Sequence, residues 1–431
     1  MPTASDLPIV IAGGGIGGLV TALTLHKIGQ PVVVLEAVET IRPLGVGINL
    51  QPNAVRELLE LGFILRDLDA IGLRITEWAL VGLNGKDIYS EPRGEAAGYL
   101  WPQYAVHRGR FHMMLRDAFL AKAGPGALIT DRRVLGYSQS EEDVTAQWQT
   151  RSGFTGETKA ALLIGADGIH SKVRAQMHPE DGGVQWGGVL MWRGTSLAKP
   201  LRTKASFIGL GKHDKRVVLY PISAADAQTG LAEMSWIAEI TLDGDANWPK
   251  DSWFSPVSPA QFLEHFADWK YDWLDVPALI AAAPTAFENP MIDRNPLPHW
   301  HQNRVALLGD AAHAMYPTGS NGATQAIIDA RELGKSLCNL GVTPAALADY
   351  NNKLCDPVTK LVLRNRADGP FGLLKHIDQL CGGQFDDIDT VISPKERADF
   401  MRAYQTAAGF ERDALNASQP ILSCSASLRS P

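Results

Sequence analysis

Near the N-terminus the run Gly13-Gly14-Gly15-Ile16-Gly17-Gly18 follows the order G-x-G-x-x-G, a spacing that can cradle a phosphate. Gly13 allows a tight turn, Gly15 lets backbone approach a pyrophosphate, and Gly18 lets a helix pack close to a strand. The helix predicted from Leu19 to Ile28 would offer free N–H groups and a positive dipole end to the anion. Glu36 follows Gly18 by about 20 positions, where a carboxylate binds a ribose hydroxyl. Two more acids close buried apolar runs, Asp167-Gly168 in "LIGADGIHSKVR" and Gly309-Asp310 in "RVALLGDAAH". Each alone reads equally well as a turn, since Asp and Gly are common turn residues. Together the three predict a dinucleotide site, and NAD and FAD share its fingerprint.

These residues need elements to carry them. Ile9 to Ala12 and Val32 to Leu35 read as buried strands around the first loop, with Gly29 stopping the helix between them. Residues 53–66 and His107 to Ala123 have helical spacing. From Gly188 to about Leu242 the pattern turns to strands: "VLMWRGTS", "RVVLYPIS" and "SWIAEITL". In the last, Trp236, Ala238, Ile240 and Leu242 share one face while Glu239 and Thr241 take the other. After about residue 370 the signals fade, and the stretch "NASQPILSCSASLRSP" is expected to attach loosely. Nucleotide-type elements therefore come early, in the middle and late, around a β-rich insert.

The chain has 431 residues, 45% of them hydrophobic and 20% charged, with a formal net charge of −7. That composition predicts an ordinary globular protein of two or three domains and argues against nucleic acid as a partner. Glycines interrupt the apolar start, and Met1 to Pro8 carries only Asp6 as a charge, so neither a membrane span nor a secretory signal is expected. Cys338, Cys355, Cys381 and Cys424 match no metal spacing and predict free thiols in a reducing, cytoplasmic setting. His299-Trp300-His301 lacks nearby ligands and reads as a loop.

The three motifs, in this order, resemble those of the class A flavoprotein monooxygenases, the family of para-hydroxybenzoate and salicylate hydroxylases. The resemblance spans about residues 8 to 345. The runs "IRPLGVGIN", "EPRG", "PQYAVHRG", "MWRG" and "DRNPLPHW" are most similar to its phenazine-hydroxylating subgroup. It implies an α/β fold in which a Rossmann-like FAD-binding domain of the GR2 type interleaves with a β-sheet-rich substrate domain. The first would take residues 1–75, 100–185 and 285–370, the second 76–99 and 186–284, with a helical or loose segment over 371–431. It further implies that Gly13, Gly15, Ile16, Gly17, Gly18, Glu36 and Ala37 hold the ADP half of FAD. Arg42 and Gly47 would run beside the flavin, Arg108 would lie near the pyrophosphate and ribitol, and Asp167 would serve both FAD and the pyridine nucleotide. Gly309 and Asp310 would meet the ribitol, and Pro317, Gly319, Asn321, Gly322 and Ala323 the isoalloxazine ring. Many relatives read P-x-x-G-Q-G where this chain has Pro317-Thr318-Gly319-Ser320-Asn321-Gly322.

The implied activity is a single-component monooxygenase that uses FAD, NADH or NADPH and molecular oxygen. A flavin C4a-hydroperoxide would hydroxylate a small aromatic or heteroaromatic acid or phenol, in a monomer or homodimer. Such chemistry needs an apolar pocket that keeps water out and N–H groups to steady charge on the reduced ring. Trp192, Tyr220 and Trp236 can roof that pocket, although each aromatic reads more readily as core than as a ligand contact. Arg193 amid aromatic strands needs a partner, either a local carboxylate or an acidic substrate. His313 is either a base or a structural residue beside the flavin loop. The alternatives are FAD-fold chemistry of another kind (halogenase, isoprenoid reductase, epoxidase) and a non-catalytic FAD-fold binding protein.

Overall fold

The computed structural model describes residues 7–242, 255–367, 369–407 and 411–423. Asp6 and Cys424, both weighed above, lie outside them. A six-stranded sheet runs in the order His301–Gln302, Val305–Leu307, Leu162–Gly165, Ile9–Ala12, Val32–Leu35, Leu128–Ile129. All its pairings are parallel except the edge hairpin of the first two strands. Ile9–Ala12 and Leu162–Gly165 are buried along their whole length, as parallel strands covered by helices on both faces must be. Helix Ile16–Lys27 is apolar nearly all round because Gly322–Leu340 and Arg108–Ala123 both pack on it.

An eight-stranded sheet stands beside the first. Its order is Ser255–Val257, Ala286–Arg294, Val184–Ala198, Ala232–Thr241, Lys215–Pro221, Ser206–Gly211, Glu77–Gly82, Asp87–Pro92. The chain enters it, leaves it and returns, so both sheets are assembled from distant segments. One face carries Trp192, Trp236 and Ala238 against Phe262, Phe266, Val276 and Ile280. The other packs Trp78, Leu80 and Ile222 against Phe371, Leu374, Ile377 and Met401 of the C-terminal helices. The helix expected over residues 53–66 is two pieces, Pro52–Glu60 and Leu65–Asp69. Gly62 breaks it with φ +101°, a conformation that costs glycine little and ends helices.

The stretch expected to be loose is tied down through residue 423. Glu57 and Arg331, both fully buried, pair at 3.2 Å. Glu57 also accepts from Arg56 Nε at 3.0 Å and from the Ile421 N–H at 3.0 Å. Arg331 donates to the Leu422 carbonyl and Arg56 to Ser418 Oγ at 2.7 Å. The attachment is polar and long-range, so hydrophobic patterning carries no trace of it. Cys338, Cys355 and Cys381 are free thiols. Among the described residues no helix is long and apolar enough to cross a membrane.

Replacing Glu57 with Leu removes the carboxylate shared by the buried guanidiniums of Arg56 and Arg331, and breaking such a pair costs about 3–5 kcal/mol. Urea denaturation should show that loss, and trypsin should cut at Arg412 sooner than in the native protein. An unchanged midpoint would remove this network from the stability of the fold.

Candidate active site

Strand Ile9–Ala12 delivers the glycine loop to the C-terminal edge of the parallel sheet, where ligands of such sheets bind. Gly13 has φ +102°, and a Cβ there would lie 2.5 Å from the Ala166 carbonyl oxygen. A Cβ on Gly18 would strike the carbonyl of Gly13, whereas one on Gly15 would meet nothing. Gly15, Ile16 and Gly17 instead face a cavity of about 610 Å³. The Gly14 peptide is gripped from both sides. Its N–H donates to Glu36 Oε2 at 2.6 Å, and His112 Nε2 donates to its carbonyl at 2.6 Å. Glu36 Oε1 accepts from the Val38 N–H at 2.9 Å. Burial pushes the His112 imidazole below its usual range, consistent with a neutral ring donating one proton to a carbonyl.

The second and third motifs face the same edge. Asp167 accepts from Ser171 Oγ at 2.5 Å and from the Lys172 and Val173 N–H groups at 2.7 and 3.3 Å. It thus secures the start of helix Lys172–Met177, while its neighbours Ala166 and Gly168 line the cavity. Gly309 turns with φ +60° and sets exposed Asp310 on the cavity wall. Below it, Asp329 accepts from the Gly309 N–H at 3.0 Å, Gln325 Nε2 at 2.9 Å and His313 Nε2 at 2.5 Å. His313 is 3% exposed and absent from the cavity lining. It is a structural residue, not a base. Arg174 spans the two motifs, donating to the Ala311 and Ala312 carbonyls at 3.2 and 2.9 Å and pairing with Asp181 at 2.5 Å.

Pro317, Asn321, Gly322 and Ala323 line the cavity at the N-terminus of helix Gly322–Leu340, a positive dipole end. Gly319 is buried behind them. Arg108 lines the cavity, its N–H donating to the Val46 carbonyl at 2.9 Å and its guanidinium making no hydrogen bond or ion pair among the described residues. Ala37 and Arg42 line a neighbouring hollow with Arg133 and Arg151. The eight-stranded sheet closes the far side. Arg193 and Tyr220 reach the cavity; Trp192 and Trp236 point the other way, into the core, the reading that their residue type favoured over a pocket roof. Strand alternation requires this, since neighbours in a strand take opposite faces. Tyr220 is 2% exposed and donates to the Gly47 carbonyl at 2.8 Å, while the Gly47 N–H donates to Ser235 Oγ at 3.0 Å.

The FAD binding domain family matches residues 6–365. A phenazine 1,6-dicarboxylic acid hydroxylase of Lysobacter antibioticus is 41% identical over 375 residues, covering 85% of this chain and 91% of its own length. The chain belongs to the FAD-dependent aromatic hydroxylases. A 3-hydroxybenzoate 6-hydroxylase of Aquipseudomonas alcaligenes is 30% identical over 355 residues, 80% of this chain and 84% of its own. A solved salicylate hydroxylase substrate complex shares the fold with TM-score 0.72 at 22% identity, covering 96% of this chain and 97% of that one. This hydroxylase is an FAD-dependent aromatic monooxygenase using NAD(P)H as electron donor and oxygen. The chain's own features fit FAD: an open space beside Gly15, a guanidinium without a protein partner in Arg108, and Gly15, Gly17, Gly168, Gly309 and Gly322 in the cavity lining.

Sequence reading missed Met191, Phe207, Ile237, Glu239, Met291 and Phe371, which complete the hydroxylase cavity. The signal was partly present: Met191 shares a strand face with Arg193, and Ile237 with Glu239. Phe371 comes from outside the sheet and had no such signal.

Glu36→Ala should weaken FAD binding by about tenfold or more, the worth of one or two charge-assisted hydrogen bonds. Titration of the apoprotein with FAD measures it, and an unchanged dissociation constant would remove Glu36 from the site. A second expectation concerns pH. Burial would push the His313 imidazole down, but Asp329 overrides it and raises the group above its usual 6.5. The pair's stabilisation is therefore complete below pH 6.5 and fades as pH rises through the higher folded value. His313→Gln should lower the melting temperature most at acidic pH, and a difference constant with pH would refute the charged pair.

Proposed function

We propose that this hydroxylase acts on a planar aromatic or N-heteroaromatic carboxylic acid, with the fused phenazine carboxylic acids as the foremost class. Arg193 carries this reading. It faces the cavity, its buried Nε has no hydrogen-bond partner, and none of its guanidinium nitrogens is within ion-pair reach of a described carboxylate. Glu239, the carboxylate on the same floor, is taken by Arg216. A guanidinium left unanswered in an apolar cavity is costly, and a ligand carboxylate can answer it with two parallel hydrogen bonds. Met191, Met291, Phe207, Val218 and Ile237 give the flat apolar walls a ring system needs. The 41% identical relative named for a phenazine dicarboxylic acid supports a fused ring.

In this reading the glycine loop, Glu36, Ala37, Arg42, Gly47, Arg108, Asp167, Gly309 and Asp310 serve FAD. When bound, FAD would supply the redox chemistry by which NADH or NADPH is oxidised and O2 is split, one oxygen atom entering the ring and the other leaving as water. Pro317, Gly319 and Asn321 shape the loop whose helix N-terminus steadies negative charge at that position. Tyr220 holds Gly47 in place beside it. The six-stranded sheet then serves as the cofactor domain and the eight-stranded sheet as the substrate domain. Free thiols support a cytoplasmic setting, and the self-contained cavity is compatible with a monomer or homodimer.

Arg193→Met should raise the KM for an acid, and slow its NAD(P)H-dependent turnover, by about tenfold or more beyond the effect on the corresponding amide. Steady-state kinetics on phenazine-1-carboxylate and its amide decide the matter. Equal losses on both would make Arg193 structural and end the acid reading.

A further inference from the structure

The cavity floor holds a second charge besides Arg193, and the two do not meet. Glu239 lines the cavity and is 5% exposed. In the sheet it lies opposite Met191, which opposes Asn289 on its other side, while Arg193 opposes Ile237. Arg193 and Glu239 are thus diagonal neighbours on one face, a relation that separates side-chain bases by about 7–8 Å. Among the described residues the one hydrogen bond that Glu239 accepts comes from Arg216 Nε, onto Oε1. A carboxylate has about four lone-pair sites, so this buried group keeps unused acceptor capacity toward the cavity. Its position is fixed from behind. Arg216 is itself 5% exposed and lies over the Phe371 ring at 4.8 Å, and Phe371 is a cavity wall.

A floor with a free cation and an under-used anion, held apart by apolar side chains, complements a ligand that carries an acid and a hydrogen-bond donor at separate points. We infer that Glu239 is a specificity-determining residue, accepting a hydrogen bond from an O–H or N–H group on the same aromatic acid that Arg193 holds. The acid half of that statement rests on the proposed function; the donor half rests on Glu239 alone. Arg216 is then a positioning residue, since its hydrogen bond to Oε1 holds the carboxylate in place.

The test uses FAD-loaded enzyme and two fused-ring probes, 6-hydroxy-2-naphthoate and its methyl ether, with binding read from the flavin absorbance change. The hydroxy acid should bind the native enzyme about tenfold more tightly, the worth of one charge-assisted hydrogen bond. The double variant Arg216→Met/Glu239→Leu removes both charges together and leaves no unpaired ion buried. It should bring that ratio close to one, with Glu239→Gln in between. A merely structural role would weaken both probes alike and leave the ratio where it was. An undiminished ratio in the double variant overturns the inference, as does equal binding of the two probes, or none, by the native enzyme. If the double variant loses its FAD, an undiminished ratio in Glu239→Gln overturns it instead. The same ratio measured on the two amides does not involve Arg193. A ratio that persists there while Arg193→Met treats acid and amide alike refutes the acid reading and keeps this one.

Discussion

Both polar groups of the Gly47 peptide unit are claimed by the neighbouring sheet: Ser235 accepts from its N–H and Tyr220 donates to its carbonyl. No side chain could stand at this residue. A Cβ would lie 2.6 Å from both the Tyr220 ring and the Ser235 side chain. The consequence is geometric. The active-site cavity lies between two sheets that share no strand, and its shape depends on their mutual register. Gly47 belongs to strand Gly47–Leu50 of a separate three-stranded sheet, and two buried hydrogen bonds fasten that strand to the eight-stranded sheet within the tolerance of a hydrogen bond. Arg193 and Glu239 can address a ring over the flavin site only because Tyr220, two strands from Arg193, is fastened to the segment expected to run beside the flavin.

On the cofactor side the same economy recurs. Three loops leave the parallel sheet at one edge, and each is held by a neighbouring side chain. Glu36 and His112 hold Gly14, Ser171 holds Asp167, and Asp329 holds Gly309. Arg174 then ties the second loop to the third through the carbonyls of Ala311 and Ala312. Preorganised backbone of this kind costs no rearrangement when an anion arrives, which is where much of its electrostatic value lies.

What could be read from the sequence was what short-range chemistry dictates. The glycine loop, Asp167 and Gly309-Asp310 each pair a buried run with a turn residue, so their spacing sufficed. Arg193 stood out because a charge within aromatic strands is anomalous. Trp192 and Trp236 had two readings, core or pocket roof, and strand alternation sends them to the core with Phe262. Glu239 was assigned the correct strand face, yet its use depends on a cavity that only the meeting of the sheets creates. The anchoring of residues 411–423 depends on Arg56, Glu57 and Arg331, and no local pattern encodes such a pairing.

That anchoring bears on how the chain reaches its folded state. Glu57 is made early, yet one of its donors, the Ile421 N–H, lies 364 positions later. Until those residues leave the ribosome, Arg331, at the middle of helix Gly322–Leu340, lacks the Leu422 carbonyl as an acceptor. The helix that opens from the first glycine loop packs on it, so closely that a Cβ on Gly17 would lie 3.3 Å from Ala326. The helix that borders the nucleotide cradle, a cradle encoded first, thus gains its last polar contact from the stretch made near the end of synthesis.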